Sequence, residues 1–239
     1  MVHSVGNRSS ESARIRSIYE SEYSVSASRA WSAAWSPRNP TAVHFRQSVE
    51  LALVRALNEA GLDLRDAEIL DVGCGGAPHL RFFADLGANR ERLHGVDLVP
   101  ERIEVGRRNA PGVDLVVADA TSLPFADNSF DVVSQFTALC NITDETHRRQ
   151  AVNEMKRVLR PGGSVIWFDV VKAPIDAHYS GITPEHLRDL FSDFEVSAVQ
   201  PMFHRWTEML AARAPDLATA LERLPLPKSN LLAVLRALA

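Results

Sequence analysis

Ile69-Leu70-Asp71-Val72-Gly73-Cys74-Gly75-Gly76-Ala77-Pro78 is the stretch on which the reading of this chain turns. A buried strand ends, small residues turn the backbone sharply, and a helix begins at or just after Pro78. Glycine admits positive φ and lets a ligand approach a backbone that carries no Cβ. The helix N-terminus beyond it offers unpaired N–H groups suited to an anion. Dinucleotide-binding sheets use a loop of the same kind. Two details separate the cases. The fingerprint G-x-G-x-x-G, counted from Gly73, requires glycine at 78, where Pro78 stands. Asp71 also precedes the first glycine by two positions, and a carboxylate there suits a cationic or N–H-bearing ligand and repels a pyrophosphate.

Downstream, strands and helices alternate. PHLRFFADLG reads as a helix closed by Gly87, LHGVDL as a second strand, and PERIEVGRRN as a helix opened by Pro100. VDLVVAD and FDVVSQF are the third and fourth strands. TDETHRRQAVNEMKRVLRPGG is a helix capped by Thr143 and ended at Pro161-Gly162, and SVIWFDV is the fifth strand. TPEHLRDLF, FEVSAVQP and SNLLAVLRAL then read as helix, strand and strand. This order implies an α/β protein with a seven-stranded, mostly parallel sheet and helices on both faces.

Upstream, the Ser-rich residues 1–12 are expected to be disordered. Ile15, Ile18, Tyr19, Tyr23, Trp31 and Trp35 then read as short helices lying on a larger body. Ser36–Pro40 breaks the chain, and Ala42–Ala60 forms a helix stopped by Gly61. The expected organisation is an N-terminal helical lid over 1–45 and a main domain over 46–239. A helical insertion is expected at 201–228, before the last strand.

The formal net charge is −4 and no segment concentrates Lys and Arg, so a nucleic-acid partner is not expected. The two cysteines, Cys74 and Cys140, have no companion at metal-ligand spacing, and no metal site is expected. Asp169 is a conceivable ligand without a second and third acid. No apolar run approaches the roughly 20 residues of a membrane span. A cytoplasmic, soluble protein is the resulting expectation.

Four segments together carry a family resemblance. Asp71-x-Gly73-x-Gly75 resembles motif I of class I S-adenosylmethionine-dependent methyltransferases, with Ala77 where that loop usually has a third glycine. Gly95-Val96-Asp97, Ala118-Asp119-Ala120 followed by Leu123-Pro124-Phe125, and Leu159-Arg160-Pro161-Gly162-Gly163 follow in the family's order and spacing. The match covers roughly residues 65–170 and, more loosely, the last two strands. It implies a Rossmann-like fold and S-adenosyl-L-methionine as cofactor, with S-adenosyl-L-homocysteine as product. It further implies that Gly73, Cys74 and Gly75 hold the methionine part, and that Asp71 fixes the loop or acts through water. Asp97 would accept from the ribose hydroxyls, Leu98 would pack on adenine, and Asp119 and Ala120 would read its edge. Gln135 and Phe136 would place backbone carbonyls near the ammonium. The replacement at Ala77 is expected to be tolerated if φ is negative there.

The residues themselves leave plainer roles open. Asp97 could cap the helix near Pro100, Asp119 could form an Asx turn to Thr121, and Gln135 could be a polar strand end. Asp131 reads as a structural group at a strand start. Tyr19 and Tyr23 could face the sulfonium or simply pack, and Trp31 and Trp35 read as packing.

The resemblance implies methyl transfer by in-line displacement to a small organic acceptor, of the kind met in specialised metabolism. The acceptor would lie beyond strands four and five. His178, flanked by Asp176 and Tyr179 after the fifth strand, is the first choice as base, ahead of His204 and His44. His147, beside Arg148 and Arg149, reads as surface. A non-catalytic S-adenosylmethionine-binding partner protein is the alternative. An NAD(P)-dependent oxidoreductase ranks below it, since Pro78 and Asp119-Ala120 speak against it.

Overall fold

A computed structural model describes residues 8–22, 38–172, 178–202 and 228–238, with 210, 214 and 217 between the last two segments. Helices are α1 (Arg8–Glu22), α2 (Pro40–Ala60), α3 (Pro78–Asp85), α4 (Pro100–Asn109), α5 (Glu145–Val158) and α6 (Pro184–Leu190). Strands are β1 (Ile69–Val72), β2 (Leu93–Asp97), β3 (Asp114–Val117), β4 (Phe130–Phe136), β5 (Leu159–Val170), β6 (Phe194–Met202) and β7 (Asn230–Ala237). They form one seven-stranded sheet of order β3-β2-β1-β4-β5-β7-β6. All neighbours are parallel except β7, which runs antiparallel between β5 and β6.

The side-chain period of two sorts each strand onto two cores. Along β5, Ile166 and Phe168 join Leu53, Leu80, Phe83 and Ile103 of α2, α3 and α4 on one face. Val165 and Trp167 join Val152, Met155, Leu187 and Leu190 of α5 and α6 on the other. The chain leaves β1 in opposite directions toward β2 and β4. That topological switch point opens a crevice at the strands' carboxyl ends, where ligands of such sheets sit.

Local signals set most boundaries. Asn39 caps α2 through Thr41 N–H, and Gly61 closes the helix at φ 61°. Two boundaries differ from the sequence reading. The cap of α5 is Asp144, whose carboxylate accepts from His147 N–H at 2.9 Å, while Thr143 N–H donates to Glu11. That helix also ends at Val158 rather than at Pro161-Gly162, because Leu159 already pairs with Phe130 in the sheet.

Ala77 is a second correction. It lies at φ 58°, in the left-handed region, so the condition for its easy tolerance is not met. Its N–H closes the loop onto Cys74 C=O at 2.9 Å, and its methyl is fully buried. Left-handed backbone costs an L-residue about 1–2 kcal/mol, whereas one buried methyl contributes about 0.8 kcal/mol. Ala77→Gly is therefore expected to stabilise the fold by about 0.5 kcal/mol in urea unfolding. A loss of stability instead would show that the methyl's packing outweighs the strain.

Candidate functional site

The carboxyl ends of β1 to β4 surround one cavity. Gly73 comes from the turn after β1, Asp97 and Leu98 from the end of β2, Ala118–Thr121 from the end of β3, and Phe136–Ala138 from the end of β4. Ser12, Ile15 and Tyr19 of α1 line it too, with Ile142 and His147 near the start of α5.

Asp97 organises the first turn. Its Oδ2 accepts from Gly75 N–H at 2.8 Å and its Oδ1 from Val99 N–H at 2.9 Å. It therefore holds the glycine loop and opens α4 at the same time, and it still faces the cavity. Val96 C=O accepts both Gly73 N–H and Cys74 N–H, at 2.8 and 2.9 Å. The Arg102 guanidinium lies over Gly75, with Nε 3.9 Å from Asp97 Oδ2. Tyr19 stacks on that same guanidinium, 4.7 Å from its ring centre. The cation facing Tyr19 is thus Arg102.

Asp119 likewise does two things. Oδ1 accepts from Thr121 N–H and Oγ1 at 2.9 and 2.8 Å, forming the Asx turn, while Oδ2 accepts from Ser12 Oγ of α1. α1 is held at a second point by Glu11, which accepts from Thr143 N–H at 2.7 Å and from Arg14 at 2.8 Å. The paired Arg14 guanidinium, with the Thr143 and Asp144 amides, pulls the Glu11 carboxyl down to about 2 against the effect of burial.

Asp71, Cys74, Gly75 and Gln135 stand behind the cavity wall, not on it. Gln135 Oε1 accepts from Ala138 N–H at 2.9 Å and Leu139 N–H at 3.2 Å, and its Nε2 donates to Phe168 C=O at 3.2 Å. Its side chain thereby shapes the turn after β4. That turn includes Thr137, a β-branched residue at φ 56° on the cavity wall, a strained conformation of the kind concentrated at functional sites.

Asp71 pairs across the sheet with Ser134 and accepts its hydroxyl at 2.8 Å on Oδ1. Oδ2 is buried without a hydrogen-bond partner among the described residues. Burial pushes this carboxyl up from 3.8 to about 7, with the Ser134 bond opposing and the Asp97 charge adding. The folded state holds the proton through a range in which the unfolded chain has lost it. Stability therefore falls as pH rises from about 4 to about 7, and the whole penalty is present above that window. Asp71→Asn keeps an acceptor for Ser134 and removes the buried charge. It is expected to exceed the wild type by on the order of 4 kcal/mol at pH 8 and to match it near pH 4. Urea titrations at both pH values check this, and a gap independent of pH would refute it.

His178 is exposed and does not line the cavity, and its C=O accepts from Arg14 Nη1 at 3.4 Å. His44 is buried in α2. Tyr23, Trp31, Trp35, Asp176, His204 and most of 201–228 lie outside the described residues. His147 is not on the surface: it is buried and lines the cavity. The signal for this was the spacing Asp144-x-x-His147. It puts His147 at the third helical position, where a side chain folds back on the cap. Asp131 is structural as read, its Oδ2 accepting from Glu68 N–H at 2.9 Å and Arg160 at 2.6 Å.

Among the described residues, no cluster of three or more His, Cys, Asp or Glu could hold a metal. No helix among them is long and apolar enough to cross a membrane.

The fit to an adenosyl-sulfonium ligand rests on the loop itself. A Cβ at Gly73 would lie 2.5 Å from Ala138 Cβ, so the bare backbone that faces the cavity is required there. Carboxylates at the ends of β2 and β3 offer acceptors to hydroxyl and amino groups, and the apolar Leu98 and Ile142 line the same cavity.

Comparison with known proteins agrees with this geometry. A family model described as a methyltransferase domain matches residues 70–167. The demethylmenaquinone methyltransferase of Renibacterium salmoninarum is 37% identical over 98 residues, which are 41% of this chain and 39% of that protein. A sterol 4-C-methyltransferase of Caenorhabditis elegans is 31% identical over 149 residues, 60% of this chain and 42% of its own. The chain thus spans about two fifths of the length of these curated relatives. A solved S-adenosylmethionine-dependent methyltransferase from Mesorhizobium loti shares the fold with a TM-score of 0.58 at 22% identity, over 77% of this chain and 97% of that one. Residues 70–167 thus match a methyltransferase domain, and the sheet shares its fold with solved S-adenosylmethionine-dependent methyltransferases.

Proposed function

We propose that the protein transfers a methyl group from S-adenosyl-L-methionine to a small organic acceptor. One observation carries the reading: a single cavity gathers Gly73, Asp97, Leu98, Asp119, Ala120 and Phe136 from the carboxyl ends of four strands. When bound, the cofactor supplies an already activated methyl on a sulfonium, so the protein's task is alignment and exclusion of water. Asp97 and Asp119 would receive hydroxyl and amino donors, and the Phe136 carbonyl end of β4 would face the ammonium. α1, tied down through Ser12 and Glu11, serves as the lid that closes this cavity.

The relatives named for a demethylmenaquinone and a sterol direct the acceptor search to quinones and sterols. Isothermal titration with S-adenosyl-L-homocysteine is expected to give one site per chain. Labelled-methyl turnover against a quinone and sterol panel is expected to identify the acceptor class. Absence of binding by both the cofactor and its demethylated product would overturn the reading.

A further inference from the structure

The turn that follows β4 supplies Thr137, Ala138 and Asn141 to the cavity wall. Each backbone N–H from Thr137 to Cys140 is already taken by a protein acceptor. Thr137 N–H donates to Phe168 C=O at 2.8 Å, and Ala138 and Leu139 N–H donate to Gln135 Oε1. Cys140 N–H donates to Asp169 Oδ2 at 3.1 Å. β5 thus grips the turn at both ends, through the Phe168 carbonyl at its start and the Asp169 carboxylate at its finish. A wall whose amide donors all turn inward suits a cation better than an anion.

Asp169 is fully buried, and its second oxygen is also engaged, since Oδ1 accepts from Val170 N–H at 2.9 Å. Both bonds need the carboxylate. A protonated carboxyl or an amide keeps one good acceptor oxygen, so one buried N–H loses its partner. Val170 is the next residue in the chain, whereas Cys140 lies 29 positions away, so the bond to the turn is the one that yields. Thr137 holds a strained φ of 56°, and such strain persists only while its surroundings enforce it. The same turn seats α1, because Asn141 C=O accepts from Arg14 Nη2 at 2.6 Å.

We propose that Asp169 is a positioning residue for cofactor binding: its carboxylate, by holding Cys140 N–H, fixes the turn that presents Thr137, Ala138 and Asn141 and seats α1. This rests on the reading that the cavity receives S-adenosylmethionine. Burial pushes the Asp169 carboxyl up from 3.8 to about 6, against hydrogen bonds from Cys140, Val170 and Gln135. The Cys140 thiol and the Gln135 amide face it, and Leu231 of β7 pairs opposite it. The cations at the turn, Arg148 and Arg14, are held on the carbonyls of Leu139, Ile142 and Asn141. The grip needs the ionised form. Affinity is therefore full above about pH 7 and falls as pH drops through about 6.

Isothermal titration of S-adenosylhomocysteine into wild type and Asp169→Asn, both as the full chain, tests this. The amide matches the protonated carboxyl in size and in its single good acceptor, so the variant copies that form at every pH. It is expected to bind about tenfold more weakly than wild type at pH 7.5, and the gap is expected to shrink to about twofold at pH 5. Asp71 and the other titrating groups are common to both proteins and cancel from the gap. A gap of equal size at both pH values, or none at pH 7.5, overturns the proposal. A second measurement needs no variant. The backbone amide resonance of Cys140 in the wild type is expected to titrate with a midpoint near pH 6. Saturation with S-adenosylhomocysteine is expected to lower that midpoint by about one pH unit, the same tenfold coupling read in reverse. An amide that does not titrate, or a midpoint that the ligand leaves in place, overturns the proposal while leaving the cofactor reading intact. If wild type binds no S-adenosylhomocysteine at either pH, the cofactor reading fails and this proposal with it.

Discussion

Asp97→Asn is expected to weaken binding of S-adenosyl-L-homocysteine about 100-fold and to lower the melting temperature as well. The substitution preserves shape and removes one acceptor. In the wild type, Oδ2 accepts from Gly75 N–H at 2.8 Å and Oδ1 from Val99 N–H at 2.9 Å, on a side chain that is 5% exposed. An amide must turn its NH2 toward one of these N–H groups. One buried backbone donor then loses its partner, which costs about 1–3 kcal/mol of stability. If the amide frees Gly75, the glycine loop loses its tie to β2. If it frees Val99, the first turn of α4 does. The Arg102 guanidinium also loses the charge it lies beside. A ligand hydroxyl that needs the same carboxylate is left with a poorer acceptor. Two decades of affinity correspond to about 2.7 kcal/mol, within reach of one charged hydrogen-bond pair. Titration calorimetry and thermal melts measure the two effects separately. Affinity within about threefold of wild type would show that Asp97 only builds the loop.

Gly73→Ala is expected to cost about 3 kcal/mol of stability and to abolish measurable cofactor binding. Two terms add. The residue sits at φ 74°, where an L side chain is strained, and the new Cβ would stand 2.5 Å from Ala138 Cβ. Neither methyl has a torsion by which to escape, so the backbone must shift. The nearest shift opens the bonds from Gly73 and Cys74 N–H to Val96 C=O, and these bonds set the floor of the cavity. Gly162→Ala separates the two terms. It has φ 73° with nothing within 4 Å of its would-be Cβ, so it carries the strain without the clash. It should cost only about 1 kcal/mol and leave binding unchanged. Equal costs at the two positions, measured by urea unfolding, would remove contact with Ala138 as the reason for glycine at 73.

The strand–helix order and the motif acids were legible because each is written in a few consecutive residues. A glycine loop between an apolar strand and Pro78 has few conformations open to it. An acid at the end of a parallel strand is carried to the crevice wherever the strand goes. Asp97, Asp119 and Gly73 therefore stand on one cavity as their spacing implied.

Side-chain tasks were less legible. Gln135 carries nothing in its neighbours to show that its amide would be occupied by Ala138, Leu139 and Phe168. His147 looked exposed because two arginines follow it. Yet Arg148 is itself buried, donating to the carbonyls of Leu139 and Ile142. The charge on this helix thus partly faces inward, onto carbonyls of the turn before it.

The amino-acid sequence alone determined the sheet, its crossovers and the position of the glycine loop, since period, caps and glycine placement act over a handful of residues. Only the tertiary structure decided which side chains are free to meet a ligand. Ser12 reaches Asp119 across 107 residues and Glu11 reaches Thr143 across 132, so the occupancy of each acceptor depends on chain segments that no local pattern joins. Hydrogen-bonding capacity is finite, and what remains of it at a site is known only after all distant partners have taken their share.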